Sequence, residues 1–169
     1  MMNRTSAAAL LVLAIACGKS EPADDSAPPT MSFASAPIRV VAGADTLTVT
    51  AELAETQDQR TMGLMERRHL PDSAGMLFIY SSDQPATSGF WMFRTRIPLD
   101  IAFVDSTGVI RAVRNMVPCT AELAQGCPTY EPGASYRAAL EVNPGYLERH
   151  KLGVGSRIIL ADTSRRAAR

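Results

Sequence analysis

Asp100 and Glu141 stand where acids are rare. Asp100 lies in the run LDIAFVD and Glu141 in YRAALEV, each flanked by apolar residues in a stretch that reads as a core strand. A buried carboxyl is usually paired, because its charged form has lost its water. Two carboxyls converging on one pocket could work as general acid and base in a hydrolase or lyase, or could hold a cation. The structural alternative, which the pairing rule favours, has each acid matched by an arginine (Arg60, Arg94, Arg96 or Arg137) in a polar cluster at one end of the domain.

Beside the acids stands an aromatic run, Phe90-Trp91-Met92-Phe93, which contains the only tryptophan. Read as a strand, it sends Trp91 and Phe93 to one face and Phe90 and Met92 to the other. Core packing is the first reading of such a run, since aromatics dominate core energetics. The other reading is the wall of a ligand cleft. Cys119 and Cys127 are close in one polar loop rich in proline and glycine. In an exported protein such a pair reads as a disulfide, contributing roughly 2–3 kcal/mol for so short a ring. Met62 and Met65 share a helix face at a spacing of three. They read as gap-filling core, with a Cu(I) site as the remote alternative.

Other chemistry finds no support. His69 and His150 are too few for a zinc site, and no metal ligand set or cofactor motif is present: there is no phosphate-binding Gly-Lys-Ser/Thr, no Gly-x-Ser-x-Gly and no His-Glu-x-x-His. The formal net charge is +0, and no basic stripe interleaves with aromatics, so nucleic acid is not an expected partner.

The elements that must position these residues are short. Residues 38–42 and 46–53 form a hairpin; the second alternates strictly, with Leu47, Val49, Ala51 and Leu53 on one face. Thr56 and Gln59 make a capping box for a short helix, which Gly63 ends or packs closely. Residues 75–80 read as a buried strand. The stretch 89–105 reads as two strands joined by a bend at Pro98. Strands over 109–116, 136–142 and 156–160 follow, with a helical turn before His150. No strand–helix–strand alternation favours a parallel sheet. The expected fold is mainly β: a jelly-roll-like sandwich or squashed barrel with one or two short helices.

Residues 1–17 have the layout of a secretory signal: Arg4, an apolar run too short to span a bilayer, and a cysteine followed by Gly18. This resembles a bacterial lipoprotein signal, with Cys17 the lipidated residue and the membrane its partner. Residues 18–37, rich in Ala, Ser, Pro and Asp, are expected to be a disordered tether. Residues 38–161 form the domain, and 162–169 a frayed tail.

Within the domain, Arg60, Gly63-Leu64-Met65, Gly75-Met76-Leu77-Phe78, Phe90-Trp91-Met92, the run from Pro98 to Phe103, Leu140-Glu141-Val142 and Gly145 stand in order. This series resembles the DUF192 family, also called the UPF0127 proteins, from about residue 47 to residue 160. The resemblance implies a jelly-roll-like β fold, often behind a signal or lipoprotein sequence, and no established activity. The cysteine loop around residues 119–127 is a departure from the family pattern. The combined expectation is an exported, membrane-tethered domain that binds a small polar ligand, such as a saccharide or another cell-envelope component. The cleft would be lined by Trp91, Arg60, Asp100 and Glu141. An envelope hydrolase or lyase using the two acids, and a module docking an envelope protein through the cysteine loop, are the competing classes.

Overall fold

The computed structural model describes residues 31–160. The signal-like segment, Cys17, most of the expected tether and the tail at 162–169 lie outside the described residues. Seven strands form one mixed sheet: β1 (Ala34–Ala42), β2 (Asp45–Ala54), β3 (Ala74–Gln84), β4 (Leu99–Val104), β5 (Ile110–Met116), β6 (Tyr136–Val142) and β7 (Arg157–Leu160). Two short helices interrupt them, α1 (Gln57–Met62) and α2 (Tyr146–Arg149). No helix among the described residues is long and apolar enough to cross a membrane.

The strand order is β5-β4-β6-β3-β2-β1-β7. The two edges approach each other at one end, where Ile110 N–H donates to the Ser156 carbonyl at 2.8 Å and Ile158 N–H to that of Gly108 at 2.7 Å. The sheet therefore curls towards a barrel without closing, as the mainly β expectation required. Two expectations need correction. β2 and β3 pair in parallel, Thr50 with Ala74 through Ala54 with Phe78. The helix between them carries the chain back to the same end, as a parallel pair demands. Residues 89–93 are not a strand: only the single bridges Phe90–Tyr130 and Phe93–Cys119 form there. The flanks of β3 and β4 are already occupied, so this run lies over the sheet instead of joining it.

β1 also begins earlier than expected. Ala34 to Pro37 pair with Leu53 to Thr50, so the tether's last residues are strand. Pro37 lies beyond the β7 ladder, which starts at Ile38, and proline is tolerated where a strand lacks a second neighbour. The β1–β2 turn is tight because Gly43 adopts φ +60, the value a two-residue hairpin of this twist needs at its first position.

Alternation along the strands splits the apolar residues into two cores. Val40, Val49, Leu77, Ala102, Leu140 and Val142 fill the concave side. Met76, Phe78, Met92, Ile101, Phe103 and Ala139 pack on the other, beneath α1 and the loops. Burying each large side chain stabilises the fold by about 1.5–3 kcal/mol.

At Gly75 β3 and β6 approach closely. A Cβ there would lie 2.6 Å from the Glu141 carbonyl oxygen and 3.1 Å from Val142 Cγ1. A backbone oxygen in a central ladder cannot retreat. Gly75→Ala is expected to lower unfolding stability by about 2 kcal/mol or more, measured by urea denaturation, with the midpoint moved and the slope kept.

Candidate functional site

Arg60 is set by its local sequence. Thr56 caps α1 by accepting from Gln59 N–H at 3.2 Å, and the Gln59 side chain accepts from Thr56 N–H at 3.0 Å. The helix is thereby fixed against the end of β2, and Arg60 reaches back to the sheet. Its Nη1 donates to the carbonyls of Glu55 at 2.6 Å and Ile79 at 2.9 Å. The guanidinium lies over the Tyr80 ring, 4.9 Å from its centre, and its buried Nε finds no acceptor. A guanidinium held this way is a fixed positive wall, not a mobile surface charge.

Glu141 sits on β6 between β3 and β4, opposite Met76 on one side and Ile101 on the other. Both neighbours are fully buried, and Glu141 is itself 4% exposed. Among the described residues none donates a hydrogen bond to its carboxyl. Burial alone pushes its pKa up to about 8, so the carboxyl is neutral at pH 7. The Tyr80 hydroxyl is raised too, first by burial, with opposing contributions from Arg60 and Glu141. Tyr80 therefore lies within electrostatic reach of both groups.

These side chains share a cavity of about 290 Å³ between α1, the outer face of β3 and β6, and the run over the sheet. Arg60, Glu141, Tyr80, Phe78, Phe90 and Trp91 line it, with Gln57, Gln84, Ser88 and Thr95 as further polar groups. Trp91 is 46% exposed, so its first reading as core is overturned, while its neighbour Met92 is fully buried. Phe90 is pinned edge-on to Phe78 at 4.9 Å and to Phe103 at 5.6 Å, which leaves the indole at the rim. Met62 and Met65 also line the cavity, and Met62 is exposed rather than core. A larger cavity, about 410 Å³, opens between Leu77, Val104 and Ile158. Its charged residues are engaged within the protein: Asp105 with Thr107 and Arg111, Arg137 with Asp83, and Arg157 with the Thr107 carbonyl. It lacks the unpartnered buried acid of the smaller one.

Asp100 does not belong to this site. Its ladder partner on β6 is Val142, one residue along from Glu141, so the two carboxyls point to opposite faces of the sheet. Asp100 accepts from Asn115 Nδ2 at 2.6 Å and from Gly145 N–H at 2.8 Å. It ties β4 to β5 and to the start of α2, a structural brace. The expected arginine pairing is also absent from both acids. Arg94 and Arg96 share Glu66, and Arg137 takes Asp83.

Sequence reading missed Tyr80, Phe78, Gln84 and Ser88. The signal for the first two was parity: Met76, Phe78 and Tyr80 alternate along β3 on one face. The disulfide between Cys119 and Cys127 is formed, with Cα atoms 5.7 Å apart.

The fold and the cavity define a small open-barrel β domain with a ligand-sized, partly charged pocket on its outer face. The chain belongs to the DUF192 family, described as "Uncharacterized ACR", whose model matches residues 39–160. Two solved structures are similar. One, from Sinorhizobium meliloti 1021, is called a "putative transcription regulator"; it is 32% identical, with a TM-score of 0.69, over 78% of this chain and 97% of that one. The other is a protein of unknown function from Novosphingobium aromaticivorans DSM 12444, 27% identical with a TM-score of 0.68, over 84% of this chain and 99% of that one. No curated protein matches significantly.

The raised acid has a consequence for stability. In the unfolded chain Glu141 titrates near 4.5, and in the folded protein near 8. Between these values the folded state holds a proton that the unfolded state has released. This contribution is fully present below pH 4.5 and is lost as pH rises to 8, by about 1.4 kcal/mol per pH unit at most. Glu141→Gln is expected to flatten that slope and to exceed the parent in stability at pH 9, measured by urea denaturation across the range.

Proposed function

We propose that this protein is an exported, lipid-anchored binding domain for a small polar ligand of the cell envelope, a saccharide being the class that suits the cavity best. The observation that carries this is the Glu141 carboxyl, buried without a partner on the wall of an otherwise mixed polar and aromatic cavity. An unpaired buried acid is costly to the fold, and a ligand hydroxyl is the kind of group that would complete it. The exposed indole of Trp91 offers a flat face for a sugar ring, while Gln57, Gln84 and Ser88 offer amides and a hydroxyl to its rim. Anchoring through Cys17 and spacing by the polar stretch after it would hold the pocket close to envelope material. The disulfide fits an oxidising compartment. Joint acid–base catalysis by Asp100 and Glu141 is not part of this proposal, because the register separates them.

Native mass spectrometry of the protein, taken gently from an oxidising periplasm and then mixed with mono- and disaccharides including N-acetylglucosamine, checks the reading. One sugar is expected to bind per chain and to leave on mild activation. Trp91→Ala is expected to weaken it about tenfold, a loss of about 1.4 kcal/mol, without changing stability. An unladen mass with every sugar would overturn the saccharide reading.

A further inference from the structure

The outer wall of the cavity is made by a segment that has no sheet ladder of its own. Ser88, Gly89, Phe90, Trp91 and Thr95 line the cavity, and all five come from this one run. At its far end the run is held by Glu66, which takes Arg94 at 2.8 Å and whose backbone N–H donates to the Arg94 carbonyl at 2.8 Å. At its near end it is held by the Tyr136 hydroxyl of β6, which donates to the Ser88 carbonyl at 2.9 Å, by the packing of Phe90 on Phe78 and Phe103, and by the loop that carries the disulfide. Phe90 and Tyr130 exchange both backbone hydrogen bonds, at 3.2 and 2.7 Å, and Cys119 N–H donates to the Met92 carbonyl at 3.3 Å.

These two attachments differ in their support. Tyr130 belongs to an arm fixed elsewhere, since Arg114 donates to the carbonyls of Glu131 at 3.0 Å and Pro132 at 2.9 Å. Gly133 N–H donates to the Ala86 carbonyl at 3.0 Å. Cys119 sits on the other strand of the loop, linked to the fixed arm by the sulfur bridge to Cys127 and, two residues earlier, by the Val117 N–H, which donates to the Tyr130 hydroxyl at 3.1 Å. From Cys127 to Tyr130 is three residues, the same step as from Phe90 to Phe93. The bridge therefore brings two points distant in the chain to the spacing of the run they grip.

We propose that the Cys119–Cys127 disulfide is a clasp on the ligand cavity: it positions Trp91 by holding Cys119 against Met92 and Phe93, and its reduction loosens that wall while the sheet stays intact. Cys119 and Cys127 are positioning residues in this account, acting through the run they hold. Its functional meaning rests on the cavity being the binding site, but its test needs no ligand. Reduction by a thiol breaks the S–S bond; two electrons and two protons give two cysteine thiols, and the reductant leaves as its own disulfide. The freed loop then regains the conformational entropy that the bridge had removed.

The experiment compares amide hydrogen exchange and iodide quenching of Trp91 in the full chain, oxidised and after reduction by excess dithiothreitol. Exchange at the Cys119 amide is expected to quicken about tenfold, and Trp91 quenching to rise, while amides of β3 and β6 keep their protection. The Tyr130 amide, on the fixed arm, changes less. Reoxidation restores the starting values, and the Cys119→Ser/Cys127→Ser double variant shows the loosened state whether or not reductant is added. Unchanged Trp91 quenching after complete reduction would overturn the proposal, since the wall would then stand without its clasp. Loss of protection throughout β3 and β6 would overturn it too, since the bridge would then stabilise the whole fold.

Discussion

Strand β6 is hydrogen-bonded on both sides, to β3 and to β4, and the register it takes there assigns each buried carboxyl its own face. Because side chains alternate along a strand, pairing Asp100 with Val142 and Ile101 with Glu141 leaves no freedom. Asp100 enters the concave side and is consumed by Asn115 and Gly145. Glu141 enters the outer side among Met76, Ile101 and Phe78, where no group among the described residues hydrogen-bonds it. A slip of one residue would exchange the faces, break the Asp100 brace and undo both cores. The same register that packs the apolar residues thus produces one structural acid and one unsatisfied acid.

The outer core is completed by parts that are not sheet. α1 and the run bearing Trp91 lie over β3 and β6, and the space left between them is the cavity. Its walls differ in kind. Arg60 is locked by backbone carbonyls and by Tyr80, and Glu141 by a central strand, so these groups are rigid. The opposite wall is a loop gripped at its ends. A pocket with a fixed charged floor and an adjustable aromatic rim suits a small ligand that is oriented by polar contacts and covered by a ring face.

Much of this was legible in the sequence. The hairpin of β1 and β2, the capping box of α1, the β4–β5 hairpin and the cysteine bridge follow from patterns whose cause is local: alternation, side-chain capping, turn residues and spacing. What was not legible depends on partners far along the chain. The parallel pairing of β2 with β3 requires the chain between them, α1 and the loop to Ala74, to return to the same end of the sheet. The aromatic run at residues 90–93 has the alternation of a strand, but strand formation needs a vacant neighbour, and the sheet offered none. Trp91 was read as core because its composition says so, whereas Phe90 and Met92 had already filled the available space. Asp100 and Glu141 were singled out by the same rule, an acid in an apolar run, and only the ladder register distinguishes the brace from the open group.

Carbon-13 NMR of the Glu141 side-chain carboxyl, followed through a pH titration of the folded protein, tests the central claim most directly. A titration midpoint near 8 would establish a desolvated acid with no internal partner, poised for a ligand. A midpoint near 4.5 would mean that water or a protein group already satisfies the carboxyl, and the cavity would lose the feature on which its function was assigned.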